Sequence, residues 1–309
     1  MVNKPTCVKD LNRLNDIFFK SLLGVKERKN LTLNFINSIL QRTEENRFVD
    51  LSFSDKQLVP IVKFEKAPEL DVVARMDDGT CVDIEVQIAR QDFIRQRSAY
   101  YLSGMYYHQI GRGDYYDELK KSIVIDLLNF NFLPYEEYHS SYRMRHDKYG
   151  DSLFDDLEMH FIELKKFKYS DIKSMYSADN WVAYFSPNCT DQQREAIAMN
   201  DPAIKEAVNH EMEFSKSFIE WRLYEQQEKA IKDKIGIERY NRRIGREEGR
   251  EEGRKEGRKE GRQEGIKEGS RAAQIAMAKS MLSDGVNIDF IIKYTKLSKD
   301  EIEQLASLK

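Results

Sequence analysis

Apolar residues recur at helical spacing from position 10 to 42, at Leu14, Ile17, Phe18 and Leu22 and again at Leu31, Leu33, Phe35, Ile36, Ile39 and Leu40. This spacing predicts one or two helices with a break between Val25 and Lys29. A strand-like piece follows from Arg47 to Ser54. The period then becomes two: Val82, Ile84, Val86 and Ile88 alternate with Asp83, Glu85 and Gln87, so aliphatic and polar side chains point to opposite faces of a strand. A helix is predicted from Asp92 to Gln109, stopped near Gly111 and Gly113. The run SIVIDLLNF at 122–130 reads as a buried strand, and further strands are expected at 140–148 and 158–166. From 170 to 243 the pattern is helical, with Trp181 and Trp221 as packing anchors.

The segment 69–87 carries the chemistry. Its first strand offers Asp71, Val73 and Arg75 on one side and Leu70, Val72, Ala74 and Met76 on the other. A three-residue loop Asp77-Asp78-Gly79 with a left-handed glycine sets Asp71 directly opposite Glu85. A two-residue turn would instead face Asp71 toward Val86 and bury it among aliphatics, so the first register is preferred. Two opposed carboxylates repel unless a cation lies between them, which suits a hard divalent ion bound by both and by a backbone carbonyl. Such an ion polarises phosphoryl oxygens and activates water. On spacing alone, a solvent-facing hairpin with ordinary surface charge fits as well.

Between 245 and 269 every fourth residue is glycine, from Gly245 to Gly269, separated by Arg, Glu, Lys and Gln. Collagen is excluded, because its glycine period is three. Seven helix-interior glycines cost about 0.8–1.0 kcal/mol each, whereas pairs such as Glu251 with Lys255 return only about 0.2–0.5 kcal/mol. A partner helix against the glycine stripe would change that balance, so homo-oligomers through 245–269 are expected, with a solvated charged linker as the alternative. Beyond it, three short helices are expected, with an Asp284-Gly285 turn and a capping box from Ser298 to Glu301. The last helix is acidic, at Asp300, Glu301 and Glu303, which favours protein contact over insertion beside phosphates.

The chain has 309 residues, enough for a sizeable core and more than one domain. A formal charge of −3 argues against bulk attraction to nucleic acid, so DNA contact needs local basic groups such as Arg90, Arg95 and Arg97, or Arg143, Arg145, His146 and Lys148. Three scattered cysteines give no zinc knuckle and no expected disulfide. No leader-like or membrane-length apolar run is present, and a cytoplasmic protein is expected. The P-loop, dinucleotide fingerprint, nucleophile elbow and zincin histidine pair are all missing, which removes kinase, oxidoreductase, serine hydrolase and zinc-enzyme readings.

The acid, the gap and Glu85-Val86-Gln87, together with DIFFKSLLG at 16–24, RQRSAYYLSGMYYHQIGRGDYYDELKKSIVIDLL at 95–128 and the glycine repeats, resemble the Rpn-type recombination-promoting nucleases and transposases of the PD-(D/E)XK superfamily. The resemblance implies an α/β fold, a nuclease-like mixed sheet flanked by helices, followed by a helical accessory region and a long Gly/Glu/Arg-repeat helix. The expected organisation is a nuclease-like domain over 1–168, the accessory region over 169–243, the repeat over 244–270 and a small helical unit over 271–309. It further implies a DNA endonuclease using Mg²⁺ or Mn²⁺, with Asp71, Glu85 and the Val86 carbonyl as metal ligands and DNA as partner. Gln87 stands where the superfamily pattern usually has lysine, and a glutamine there resembles a variant of the Rpn-like branch. An amide cannot act as a general base, but it can orient water or a phosphate oxygen. Lys20, one turn after Asp16, supplies the missing charge if its helix packs over the cleft, and is otherwise half of an exposed pair. The alternative function is a catalytically degenerate DNA-binding or scaffold protein that oligomerises through its C-terminal helices.

Overall fold

The computed structural model describes residues 7–54, 70–90, 93–170 and 175–307. Contacts divide the chain into two compact units, 1–231 and 232–309. The expected helix start at Asp92 and the hairpin's leading Glu69 lie outside the described residues.

The first unit begins with α1 (Asp16–Leu23) and α2 (Lys29–Ile39), separated at Val25 and a 3-10 turn over Lys26–Arg28, where the sequence predicts the break. Asn15 caps α1 by accepting from the Ile17 amide, a contact of the kind that contributes about 1 kcal/mol. Among the described residues six strands follow: β1 (Leu51–Phe53), β2 (Val72–Met76), β3 (Cys81–Gln87), β4 (Ser122–Leu128), β5 (His139–Arg143) and β6 (Leu157–Glu163). They form one mixed sheet in the order β1-β2-β3-β4-β6-β5. β3, β4 and β6 run parallel, and the other pairings are antiparallel. The helix α3 (Ile94–Tyr107) carries the chain from β3 towards β4.

The β2–β3 turn is the three-residue loop predicted from Asp77-Asp78-Gly79. Gly79 has φ +88°, and a Cβ there would lie 2.9 Å from Lys120 Cγ. Val72 consequently pairs with Ile84 and Val73 with Asp83, the register that sets Asp71 across from Glu85.

The two faces of the sheet are both covered. On one, Val72, Ala74, Val82, Ile84, Ile123 and Ile125 join the main core with Phe18, Phe19, Phe35 and Ile36. The same core takes in Trp181, Tyr184 and Phe185 of α4 (Ser177–Phe185), Ile197 of α5 (Asp191–Asn200) and Phe214 of α6 (Pro202–Lys216). The compact unit therefore runs through these helices. On the other face, Leu102 and Met105 of α3 pack on Val73 and Val124. The alternating polar residues of β3 lie under this helix, so the solvent-facing hairpin is not what forms: Asp83 and Glu85 are buried.

The strands expected at 140–148 and 158–166 end earlier, at Arg143 and Glu163. The chain turns back through a bridge between Arg145 and Ser152, and a 3-10 turn over Leu164–Lys166 follows β6.

The long helix α7 (Phe218–Ser283) contains the whole glycine ladder. Where three further short helices are expected, the first is the end of α7 itself. The residues after Gly269 are strong helix formers with no breaker before Asp284-Gly285. Gly285 turns the chain with φ +70° into α8 (Ile288–Thr295) and α9 (Lys299–Ser307). Ser298 and Glu301 form the capping box, and Ala278, Ile291, Leu297 and Ile302 are the core of this second unit.

Candidate nuclease site

Asp71 and Glu85 are interlocked through backbone amides. The Asp71 amide donates to Glu85 Oε1 at 3.1 Å, and the Val86 amide donates to Asp71 Oδ2 at 3.0 Å. Backbone bonds of this kind fix the carboxylates more firmly than side-chain partners do, because the ladder itself holds the donors. Asp71 keeps 19% of its side chain exposed, whereas Glu85 keeps 1%. The pair therefore sits at the boundary of core and solvent.

Each carboxylate has its own cation. Lys20 Nζ lies 3.1 Å from Asp71 Oδ1 and 2.6 Å from Asp16 Oδ1, so α1 does pack over the site and Lys20 is not half of a free surface pair. Arg97 Nη2 lies 2.9 Å from Glu85 Oε2, its Nη1 donates to Gln87 Oε1 at 3.2 Å and its Nε to the Tyr101 hydroxyl at 3.0 Å. Gln87 completes the circuit by donating from Nε2 to Glu85 Oε2 at 3.3 Å. Of the three arginines read as DNA contacts, Arg97 is thus turned into the carboxylates, while Arg90 and Arg95 are exposed, Arg95 with its guanidinium 5.0 Å from the Phe132 ring.

Sequence reasoning missed Asp126. It lies level with Glu85 on the neighbouring parallel strand, is buried, and has Ser98 Oγ 2.7 Å from its Oδ2. The available signal was a single carboxylate inside an otherwise aliphatic run. Asp83, two residues before Glu85 on the same face, is fully buried, and among the described residues neither of its oxygens has a hydrogen-bond partner.

Burial dominates the protonation of this cluster. It raises Glu85 to about 8, helped by the charge of Asp71 and opposed by Arg97. It raises Asp126 to about 7, against the Ser98 hydrogen bond and Arg97. Asp71 is raised by burial, opposed by Lys20 and the Val86 amide. Asp83 is held well above the usual carboxylate range by burial and then by Glu85, Asp126 and Asp71. Burial pulls Lys20 down, but the Asp16 hydrogen bond and the charge of Asp71 outweigh it and raise the ammonium above its ordinary value. Lys20 is therefore a fixed positive charge and not a base.

The donor set is two carboxylates with raised proton affinity and a strand backbone, which fits a hard divalent ion completed by water. Among the described residues no group of three or more His, Cys, Asp or Glu side chains is placed to hold a metal ion. The second basic cluster lies elsewhere on the sheet. Arg143, paired to Glu158, aligns with the start of β6, whereas Asp126 beside Glu85 aligns with Phe161 near its end.

Among the described residues no helix is long and apolar enough to cross a membrane. No curated protein and no solved structure matches the chain. Residues 13–240 match the model of the PD-(D/E)XK nuclease family transposases, a span that takes in α1, the sheet and the carboxylate site. With a nuclease-like fold and the acid-gap-Glu pattern on facing strands, the chain belongs to the PD-(D/E)XK nuclease family transposases.

Proposed function

We propose that the protein is a metal-dependent DNA endonuclease of the recombination-promoting Rpn type, hydrolysing phosphodiester bonds at the Asp71–Glu85 site. The observation that carries this reading is the interlock of two carboxylates whose proton affinities are both raised by confinement. Burial of two neighbouring acids opposes their ionisation, and perturbed groups of this kind cluster at functional sites.

Asp71 and Glu85 would hold Mg²⁺ or Mn²⁺, with the Val86 carbonyl as third ligand. The bound ion would supply a polarised phosphoryl oxygen and a more acidic water. Lys20 places an ammonium beside Asp71, where it offsets charge that develops on the phosphate. Gln87 orients water or a phosphate oxygen, and the exposed Arg90 and Arg95 take the DNA backbone. The ladder helix is read as a self-association segment: a Cβ added at any of the seven ladder glycines would meet nothing within 4 Å among the described residues, which leaves the stripe open to a second helix.

One observation favours a second reading, a degenerate nuclease core serving as a DNA-binding or scaffold module. Both ends of the Gln87 amide are already engaged, by Glu85 and by Arg97. Supercoiled plasmid incubated with purified protein and Mg²⁺ separates the two. Nicking by the wild type that disappears in Asp71→Ala supports the enzyme, whereas no Mg²⁺-dependent nicking by the wild type favours the scaffold.

A further inference from the structure

A cavity of about 590 Å³ opens beside the C-terminal end of α2, and no residue of the Asp71–Glu85 site lines it. Its walls are the end of α2 with the loop that follows, Tyr138, and the first turn of α4. The loop is set by two backbone bonds, from the Gln41 amide to the Ser38 carbonyl at 3.0 Å and from the Arg42 amide to the Asn37 carbonyl at 2.9 Å, with Gln41 at φ +52°. Glycine is the usual residue in such a helix ending, and glutamine takes the place at a steric cost. The turn lays Arg42 on the Phe48 ring, its guanidinium carbon 3.6 Å from the centroid, and Nη1 donates to the Asn46 carbonyl at 2.6 Å. Among the described residues Nε and Nη2 have no acceptor and no carboxylate pairs with the guanidinium. Burial lowers Arg42, and the charges of Asp78, Glu158 and Asp77 offset this only in part. Asp77 and Asp78 form the β2–β3 turn, so the cavity lies towards the end of β3 away from Glu85.

Arg47 adds a second cation to the lining. Its Nη1 lies 3.4 Å from Glu44 Oε1, but Glu44 is 91% exposed, and a surface pair of this kind holds an arginine only weakly. The α4 side of the cavity is different. Asp179 accepts from the Tyr138 hydroxyl at 2.6 Å through Oδ1 and from the Tyr176 amide at 2.9 Å through Oδ2, which leaves each oxygen a lone pair to offer. Ser38 and Ser177 share one hydrogen bond at 2.6 Å, so one of their two hydroxyl protons is left to donate. Two guanidiniums and a carboxylate in one cavity select a ligand that carries both an anion and hydrogen-bond donors. We propose that this cavity binds a nucleoside monophosphate, its phosphate taken by Arg42 and Arg47 and its sugar or base donors by Asp179. The guanidinium fork matches phosphate oxygens in pairs, and the volume lies within the range of small-molecule sites. Inorganic phosphate satisfies the arginines alone and a nucleoside satisfies Asp179 alone.

The test is calorimetric titration of the full chain with AMP, GMP, adenosine and inorganic phosphate, in EDTA so that no metal carries phosphate to Asp71 and Glu85. At least one of the two nucleotides is expected to bind once per chain with a Kd below about 1 mM, and about tenfold or more tighter than adenosine or phosphate. Arg42→Gln and Arg47→Gln are each expected to weaken that nucleotide by about fivefold or more. Arg47 is at the surface, so its variant keeps the test open if Arg42→Gln fails to fold. No heat from either nucleotide at about 5 mM, wild-type affinity in Arg47→Gln, or adenosine or phosphate bound as tightly as the nucleotides overturns the proposal. So does a 5′-phosphorylated oligonucleotide that binds more tightly than AMP and loses that advantage in Arg47→Gln, since the cavity would then hold a DNA end. The readout needs neither metal nor cleavage, so its result stands apart from that of the plasmid assay.

Discussion

The Asp71 amide donates to the Glu85 carboxylate while the amide after Glu85 donates back to Asp71, so each acid is fixed by the strand that carries the other. This geometry predicts a pH dependence. Glu85 is raised to about 8 from an ordinary 4.5, so the folded state binds a proton that the unfolded state has released between those values. Stability is then lost as pH rises through that window, because the unfolded chain holds fewer protons. Glu85→Gln removes this slope. Its melting midpoint, measured relative to wild type without metal, is expected to rise steadily between pH 5 and pH 8; a constant difference would count against the assigned burial of the charge.

Asp83 makes the same argument at a site without partners. Its carboxyl is sealed, has no hydrogen-bond partner among the described residues and is held well above the usual carboxylate range by burial, so Asp83→Asn keeps the shape and abolishes the cost of ionisation. The variant is expected to fold, and to melt higher than wild type at pH 8 than it does, relative to wild type, at pH 5. Asp83→Ala leaves a cavity under α3 and is expected to cost about 1–3 kcal/mol in denaturant titrations.

Lys20 joins α1 to the site. Lys20→Met keeps the bulk of the stem and removes the charge that lies 3.1 Å from Asp71. Cleavage is expected to fall by about 10- to 100-fold with little change in DNA affinity, since the ammonium is aimed at the carboxylates. Unchanged cleavage would return the lysine to the status of a structural ion pair with Asp16.

The ladder helix makes a prediction about helix stability. Among the described residues a Cβ added at any of the seven ladder glycines would meet nothing within 4 Å, so Gly253→Ala and Gly257→Ala meet no steric barrier in the single chain. In a lone helix each would stabilise by about 0.8–1.0 kcal/mol. With the stripe serving self-association, the expected outcome is a fall in sedimentation coefficient, and a gain in helical ellipticity with an unchanged sedimentation coefficient would contradict it.

The hairpin register was legible because it depends on local chemistry: Asp-Asp-Gly sets loop length, loop length sets register, and register sets which side chains meet. The break at Val25 and the capping box at Ser298 were legible for the same reason. Asp126 was not, because it reaches Glu85 only when β4 lies parallel beside β3, and a single strand's pattern says nothing about its neighbour. Period two told which residues share a face but not what covers that face. The polar face of β3 therefore looked open, while α3 in fact closes it with Arg97, Ser98 and Leu102. Arg97 was read as a phosphate contact on charge alone, and its direction became clear only with Tyr101 and Gln87 around it.

The central claim is that Asp71 and Glu85 together hold one divalent ion. Calorimetric titration of Mn²⁺ into wild type and into Asp71→Ala, at pH 8.5, above the value of about 8 to which burial raises Glu85, tests it most directly. The account predicts one ion per wild-type chain and an affinity lower by about tenfold or more in the variant. Equal binding by the two proteins, or no binding heat from the wild type, would contradict it.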